Sequence, residues 1–211
     1  MAVTYPKGMQ MVLPEQSLPS KLIWDPEALL SDDQYFELCA ANPSIRFERT
    51  AQGEIVIVPP AGFESDYRCA RVVSQLTDWA ERHGRGKVSG PTVEFFLPTG
   101  AALSPDAAWT SNERIRSVSK EQLKRFPHLC PEFVVEVLSP SDRLNAAKNK
   151  MAEWMRGGAE LAWLIDGDHR TVYIYSSGST QPEIKRGLKT LAGEGPVAGF
   201  VLDLKPIWAG I

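Results

Sequence analysis

Pro131-Glu132-Phe133-Val134-Val135-Glu136-Val137-Leu138-Ser139-Pro140-Ser141-Asp142 decides how the rest of this chain is read. Phe133 to Leu138 form an apolar, β-branched run of the length and composition of a buried strand. One carboxylate, Glu136, interrupts it. A carboxylate in a sheet core is costly unless it is paired or bound to a metal. Strand alternation puts Glu132, Val134, Glu136 and Leu138 on one face, and Phe133, Val135 and Val137 on the other. The Ser-Pro-Ser-Asp that follows stops the strand and offers helix-capping oxygens. Glu136 is therefore expected near the C-terminal end of an inner strand, where open α/β sheets carry their sites.

The chain around this stretch has 211 residues, enough for one domain with a substantial core, or one domain with an arm. Hydrophobic residues at 43% and charged residues at 23% are ordinary for a globular protein, so neither a disordered nor a fibrous chain is indicated. A net charge of −3 means that any nucleic acid must be met by a local basic surface. Cys39, Cys69 and Cys130 are scattered, form no C-x-x-C and cannot all pair within one chain. Structural zinc is thus not expected, and a reducing cytoplasm is the natural compartment. No apolar run reaches membrane-spanning length, and the N-terminus lacks the apolar core of a secretion signal.

Residues 1–30 contain four prolines and little periodicity and read as an extended arm, with residues 31–211 as a single domain. Ser31-Asp32-Asp33-Gln34 matches a capping box and predicts a short helix to about Ala41. Ile45–Thr50 and Glu54–Val58 read as a hairpin around Ala51-Gln52-Gly53. A helix is expected from about Glu64 to His83, stopped by Gly84. Glu64 and Asp66 fall in its first turn, where the helix dipole favours negative charge. Strands follow near Lys87–Ser89, Val93–Leu97 and Leu103–Thr110. The last of these holds Pro105-Asp106, a second carboxylate in an apolar setting. Two short helical segments come next, the second beginning at the capping box Ser119-Lys120-Glu121-Gln122. After the Glu136 strand, a helix spans about Arg143 to Arg156 and ends at Gly157-Gly158. Strands Leu161–Ile165 and Val172–Tyr175 flank Asp166-Gly167-Asp168, where Asp-Gly suits a turn needing positive φ. Short β segments lead to Gly199–Leu204.

Asp106, Glu136 and a lysine are the chemistry-bearing candidates. Two carboxylates on neighbouring strands can hold a divalent cation through oxygen ligands, as Mg²⁺ prefers. Such a cation bridges a phosphate oxygen and an attacking water and acidifies that water. A nearby ammonium can stabilise the extra negative charge of the transition state. On a helical wheel, Leu144, Ala147, Met151, Trp154 and Met155 form the apolar face of the helix after Glu136. Lys150 and Arg143 border that face on one side and Lys148 on the other, so the wheel alone leaves the lysine open. His83, His128 and His169 are far apart and read as surface residues. Trp109, Trp154 and Trp163 fall at core positions.

Taken in order, Pro105-Asp106, Glu136-Val137-Leu138-Ser139-Pro140-Ser141, Lys150-Met151 and Ala162-Trp163-Leu164-Ile165-Asp166 resemble the Uma-two family. So do Arg46-Phe47-Glu48-Arg49 and Gly199-Phe200-Val201-Leu202-Asp203-Leu204. This bacterial group, abundant in cyanobacteria, is described as restriction endonucleases of the PD-(D/E)xK superfamily. The similarity runs from about Asn42 to the C-terminus. Each motif is weak, but their order and spacing together are fairly specific.

The resemblance implies an α/β (α+β) fold with a restriction-endonuclease-like core, a central mixed β-sheet flanked by helices, and extra β-hairpins. It assigns the family's aspartate to Asp106, its glutamate to Glu136 and its lysine to Lys150. It suggests a helical acidic metal ligand at Glu64. The strand lysine that the wider superfamily carries two residues after its glutamate is Leu138 here, and the lysine comes from the following helix. The function implied is a Mg²⁺- or Mn²⁺-dependent DNA endonuclease, with DNA as partner and room for a homodimer. The alternative is a catalytically inactive nucleic-acid-binding or interaction module that retains the fold. Basic residues Arg114, Arg116, Lys120, Lys124 and Arg125, and Arg143, Lys148, Lys150 and Arg156, adjoin the expected site. They suggest a phosphate-binding surface, with Arg143 and Lys148 as candidate contacts.

Overall fold

The computed structural model describes residues 20–22, 29–139 and 143–210. The chain begins with β1 (Ser20–Leu22), α1 (Asp32–Ala41), β2 (Arg46–Arg49), β3 (Ile55–Val58) and α2 (Phe63–His83). It continues through β4 (Gly86–Ser89), β5 (Phe95–Phe96), β6 (Ala102–Leu103) and β7 (Ala107–Ser111). Two short helices, α3 (Asn112–Arg116) and α4 (Lys120–Leu123), lead to β8 (Phe133–Leu138) and α5 (Leu144–Gly157). Then come β9 (Leu161–Asp166), β10 (Thr171–Ser176), β11 (Glu183–Arg186), β12 (Thr190–Ala192), β13 (Val201–Asp203) and α6 (Lys205–Ala209).

β8 lies inside a six-stranded sheet of order β11-β10-β9-β8-β7-β4. Only its pairing with β9 is parallel; the other pairs are antiparallel. α5 makes the crossover from β8 to β9 that a parallel pair requires. A second sheet has the order β1-β3-β2-β6-β5, and β12 and β13 form a separate ribbon.

Alternation along β8 divides the core as expected. Phe133, Val135 and Val137 join Val72, Leu76 and Trp79 of α2 and Phe200, Leu202 and Leu204 of the C-terminal segment. Val134 faces the opposite way, toward Met151 and Trp154 of α5. Both faces of the sheet are thus covered, which is why β8 and β9 read as continuous apolar runs. Met151 and Trp154 are fully buried. Each contributes roughly 1.5–3 kcal/mol on leaving water, so together they fix the rotation of α5 about its axis.

Local chemistry explains most boundaries. Both capping boxes form: Ser31 with Gln34 at the start of α1, and Ser119 with Gln122 at the start of α4. Gly84 (φ 63°) and Gly158 (φ 110°) end α2 and α5 in the left-handed conformation that glycine adopts without strain. Ser20–Leu22, within the expected arm, pairs antiparallel with β3; residues 1–19 and 23–28 lie outside the described residues.

Three expectations change. The strand read over Leu103–Thr110 is two strands in different sheets: β6 pairs with β2, and β7 with β4 and β8. Pro105 lies in the break and has no N–H to give a ladder. The strand expected over Val93–Leu97 is only Phe95–Phe96, because the Leu97 N–H turns back to the carbonyl of Ala101. In the turn after β9, positive φ falls on Arg170 (48°), not on Gly167. Gly167 has a different reason to lack a side chain: a Cβ there would lie 2.6 Å from Cζ of Arg68.

Candidate active site

The segment Ser104-Pro105-Asp106 carries the chain from the five-stranded sheet into the six-stranded one, and the candidate residues converge at this seam. β7 pairs with β8 through Ala107 opposite Val135 and Ala108 opposite Val134. One step beyond this ladder lie Asp106 and Glu136. By alternation they share the face of Ala108 and Val134, the face that α5 covers. The side chain of Asp106 takes over where the ladder ends: Oδ2 accepts a hydrogen bond from the Val137 N–H at 2.7 Å. The Sγ of Cys69 on α2 donates to the Asp106 carbonyl at 3.3 Å.

Lys150 reaches the same point from α5, because its neighbours Met151 and Trp154 turn that side of the helix onto the sheet. Its Nζ lies 3.0 Å from Oε1 of Glu136 and 2.7 Å from Oε1 of Glu48, and donates to the Ser104 carbonyl at 2.8 Å. Lys148 is elsewhere, with Nζ 4.8 Å from the centre of the Tyr173 ring. The structure thus separates two lysines that the helical wheel could not.

Glu48 comes from β2, and its Oε1 also accepts from the Ser104 N–H at 3.2 Å. Its proximity to Lys150 makes it a fourth member of the cluster, to which the sequence reading assigned no role. Within Arg46-Phe47-Glu48-Arg49 it looks like one charge on the solvent side of a short strand. The available signal was the alternation itself, which puts Glu48 opposite in facing to the apolar Phe47.

The electrostatics follow from burial. Glu136 is only 8% exposed. Burial pushes its carboxyl upward, opposed by the Lys150 ammonium and the Trp154 hydrogen bond. Burial also raises Asp106, against the pull of Lys150 and the Val137 N–H. For Lys150, burial alone would favour the neutral amine. The charges of Glu136, Glu48 and Asp106 outweigh it and hold the ammonium above its ordinary range.

Three carboxylates therefore face one ammonium. Their donor atoms are all oxygen, the chemistry of a hard divalent cation, and their unfavourable burial is the kind that added positive charge relieves. Among the described residues no three His, Cys, Asp or Glu side chains converge as a preformed metal cage. The Lys150 ammonium itself bridges Glu48 and Glu136.

Glu64, the expected helical ligand, does not join this group. Its Oε1 accepts from Nη2 of Arg68 at 2.7 Å, and Arg68 in turn pairs with Asp168 at 2.9 Å. The expected basic surface is largely engaged internally. Arg114 holds Glu132 (3.3 Å) and Glu160 (3.2 Å). Arg125 pairs with Asp33 at 2.9 Å and lies over the Phe36 ring, and Arg156 pairs with Glu153. Arg116, Lys120, Lys124 and Arg143 are exposed. The three histidines are exposed, and Trp109, Trp154 and Trp163 are buried, as read from the sequence.

Among the described residues no helix is long and apolar enough to cross a membrane. Among solved structures, a protein from Anabaena variabilis described as a putative nuclease belonging to DUF820 aligns with a TM-score of 0.71. The alignment covers 85% of this chain and 98% of that one, at 17% sequence identity, a likeness of fold. A DrdV–DNA complex aligns over 55% of this chain and 66% of its own, at 15% identity and a TM-score of 0.32, too loosely to carry an argument. No curated protein matches the sequence. The family model Uma2, described as "Putative restriction endonuclease", matches residues 32–205, a span that holds every residue of the cluster. This chain is a member of that family.

Proposed function

We propose that this protein is a Mg²⁺- or Mn²⁺-dependent DNA endonuclease that hydrolyses phosphodiester bonds at Asp106, Glu136, Glu48 and Lys150. The observation that carries this reading is the meeting of Asp106 and Glu136, from adjacent strands, with an ammonium held 3.0 Å from Glu136. Membership of a restriction-endonuclease family supports it.

Asp106 and Glu136 would hold the cation, with Glu48 as a further carboxylate beside them. When bound, a divalent cation neutralises charge on the phosphate and acidifies a water molecule. The chain's own groups do the rest. The Val137 N–H fixes Asp106 through one oxygen. Trp154 and Lys150 both address Oε1 of Glu136. Lys150 keeps its proton on Nζ because the surrounding carboxylates stabilise the charge. It can therefore donate to a phosphate oxygen as negative charge develops there, a contribution of about 2.7–4 kcal/mol where such a donor is well aligned.

Purified protein should be incubated with plasmid and with single-stranded DNA in Mg²⁺, in Mn²⁺ and in EDTA. Metal-dependent cutting that disappears in Asp106→Ala and Glu136→Ala supports the proposal. Cutting that persists in both overturns the assignment. Salt-sensitive DNA binding without cutting, and without Mn²⁺ binding by calorimetry, would instead identify an inactive binding module.

A further inference from the structure

Arg46 stands apart from the other cations near the carboxylate cluster. On β2, Phe47 and Arg49 face the third core cluster: Phe47 packs within it, and Arg49 lies over the rings of Tyr35 and Phe96. Alternation then puts Arg46 and Glu48 together on the opposite side. Two strand residues of one face are about 7 Å apart along the chain. Arg46 thus sits one same-face position from a carboxylate that contacts Lys150.

The nearby cations are otherwise engaged. Arg49 is buried and bonded to the carbonyls of Leu30 and Gly100 and to the Asp32 carboxylate. Lys150 is held by Glu48, Glu136 and Ser104. Arg46 is exposed, and Nη2 donates to the Pro91 carbonyl at 2.7 Å. Among the described residues it has no ion-pair partner. The Pro91 contact uses one N–H of Nη2 and anchors one corner of the guanidinium; among the described residues the other N–H groups, the second one of Nη2 included, are left for an external acceptor. Its positive charge also reaches Asp106, where it favours the carboxylate.

An anchored, unpaired guanidinium beside buried carboxylates matches a phosphate oxyanion. Its planar fork can give two parallel hydrogen bonds to one phosphate. We infer that Arg46 is a substrate-binding residue that grips a backbone phosphate next to the one positioned at Asp106 and Glu136. The inference rests on the nuclease reading above.

The test is binding of a fluorescently labelled duplex by anisotropy, in Ca²⁺ and across a salt series, with cleavage measured in Mn²⁺. For Arg46→Ala, affinity should fall about tenfold and the salt slope by about one unit, the signature of one lost phosphate contact. Arg46→Lys should restore the slope but only part of the affinity, since it keeps charge and loses the fork. In steady-state cleavage KM should rise more than kcat falls. Melting curves should superimpose on wild type; if Arg46→Ala does not fold, Arg46→Lys and Arg46→Gln carry the comparison. Wild-type affinity and slope in the substituted proteins overturn the Arg46 inference alone. A wild-type protein that neither binds DNA in a salt-dependent way nor cuts it overturns the nuclease reading itself, and this inference with it.

Discussion

The indole Nε1 of Trp154 donates to Oε1 of Glu136 at 2.8 Å, one helical turn beyond Lys150, which addresses the same oxygen. Two residues four apart on α5 thus fix one carboxylate that strand β8 carries into the core. Phenylalanine at position 154 would keep an aromatic ring and remove the donor. A hydrogen bond to a charged group contributes about 1.5–3 kcal/mol. Trp154→Phe should therefore cost a few kcal/mol in denaturant melts, part of it from lost packing. It should also weaken Mn²⁺ binding, because an undirected Glu136 is harder to ionise. Calorimetry reads the second effect, and an unchanged Mn²⁺ affinity would mean that the indole merely packs.

Glu48 yields the prediction that depends most on the folded structure. It meets Lys150 at 2.7 Å and the Ser104 N–H at 3.2 Å, contacts that join residues far apart in the chain. Glu48→Gln keeps the shape and removes the charge. Its cleavage rate should drop at least tenfold, while its fold persists by circular dichroism. Cleavage at the wild-type rate would make Glu48 only a tether for α5.

How far the sequence could be read follows from the range of each interaction. β8, its two faces, both capping boxes and the apolar face of α5 depend on neighbours within a few residues, and they appear as expected. Asp106 and Glu136 were legible as charges interrupting apolar strands. Glu48 was not, because its partners come from the link between the two sheets and from a distant helix. Glu64 was ambiguous for the complementary reason: a carboxylate in the first turn of a helix suits a ligand, a dipole partner or an ion pair equally well. In the structure it pairs with Arg68, which also pairs with Asp168. Glu64→Gln should accordingly leave Mn²⁺ stoichiometry unchanged in calorimetric titration. A lost binding site would return Glu64 to the metal.

Glu94 supplies a pH dependence outside the cluster. It is 4% exposed, and its Oε1 accepts from the Tyr35 hydroxyl at 2.6 Å. Burial pushes its carboxyl up from 4.5 to about 8, with the Glu48 charge adding to the rise and the Tyr35 hydrogen bond opposing it. The folded chain therefore holds this proton more tightly than the unfolded chain. That stabilisation is fully present below pH 4.5 and is lost as pH rises toward and through 8. In EDTA, the Tm of wild type should fall between pH 5.5 and 8.5 by several degrees more than that of Glu94→Gln, which has no proton to lose. Equal falls would assign the pH dependence to other groups.

The two lysines of α5 give opposite expectations. Lys150 contacts two carboxylates and a carbonyl at the seam between the sheets, whereas the Lys148 ammonium lies over Tyr173. Lys150→Ala removes the proposed donor to the developing charge, so single-turnover cleavage should slow about a hundredfold or more. It also leaves Glu48 and Glu136 facing each other without their shared cation. Metal-free stability should then drop as well, and Mn²⁺ should restore more of it than in wild type. Lys148→Ala removes at most one phosphate contact and one cation–π contact worth about 0.5–2 kcal/mol at a half-buried position. Its effect should appear in DNA affinity and salt slope, with the cleavage rate at saturation nearly unchanged. Loss of cutting in Lys148→Ala with cutting retained in Lys150→Ala would mean that α5 presents its other border to the substrate. The carboxylate cluster would then be a structural ion pair and not a reaction centre.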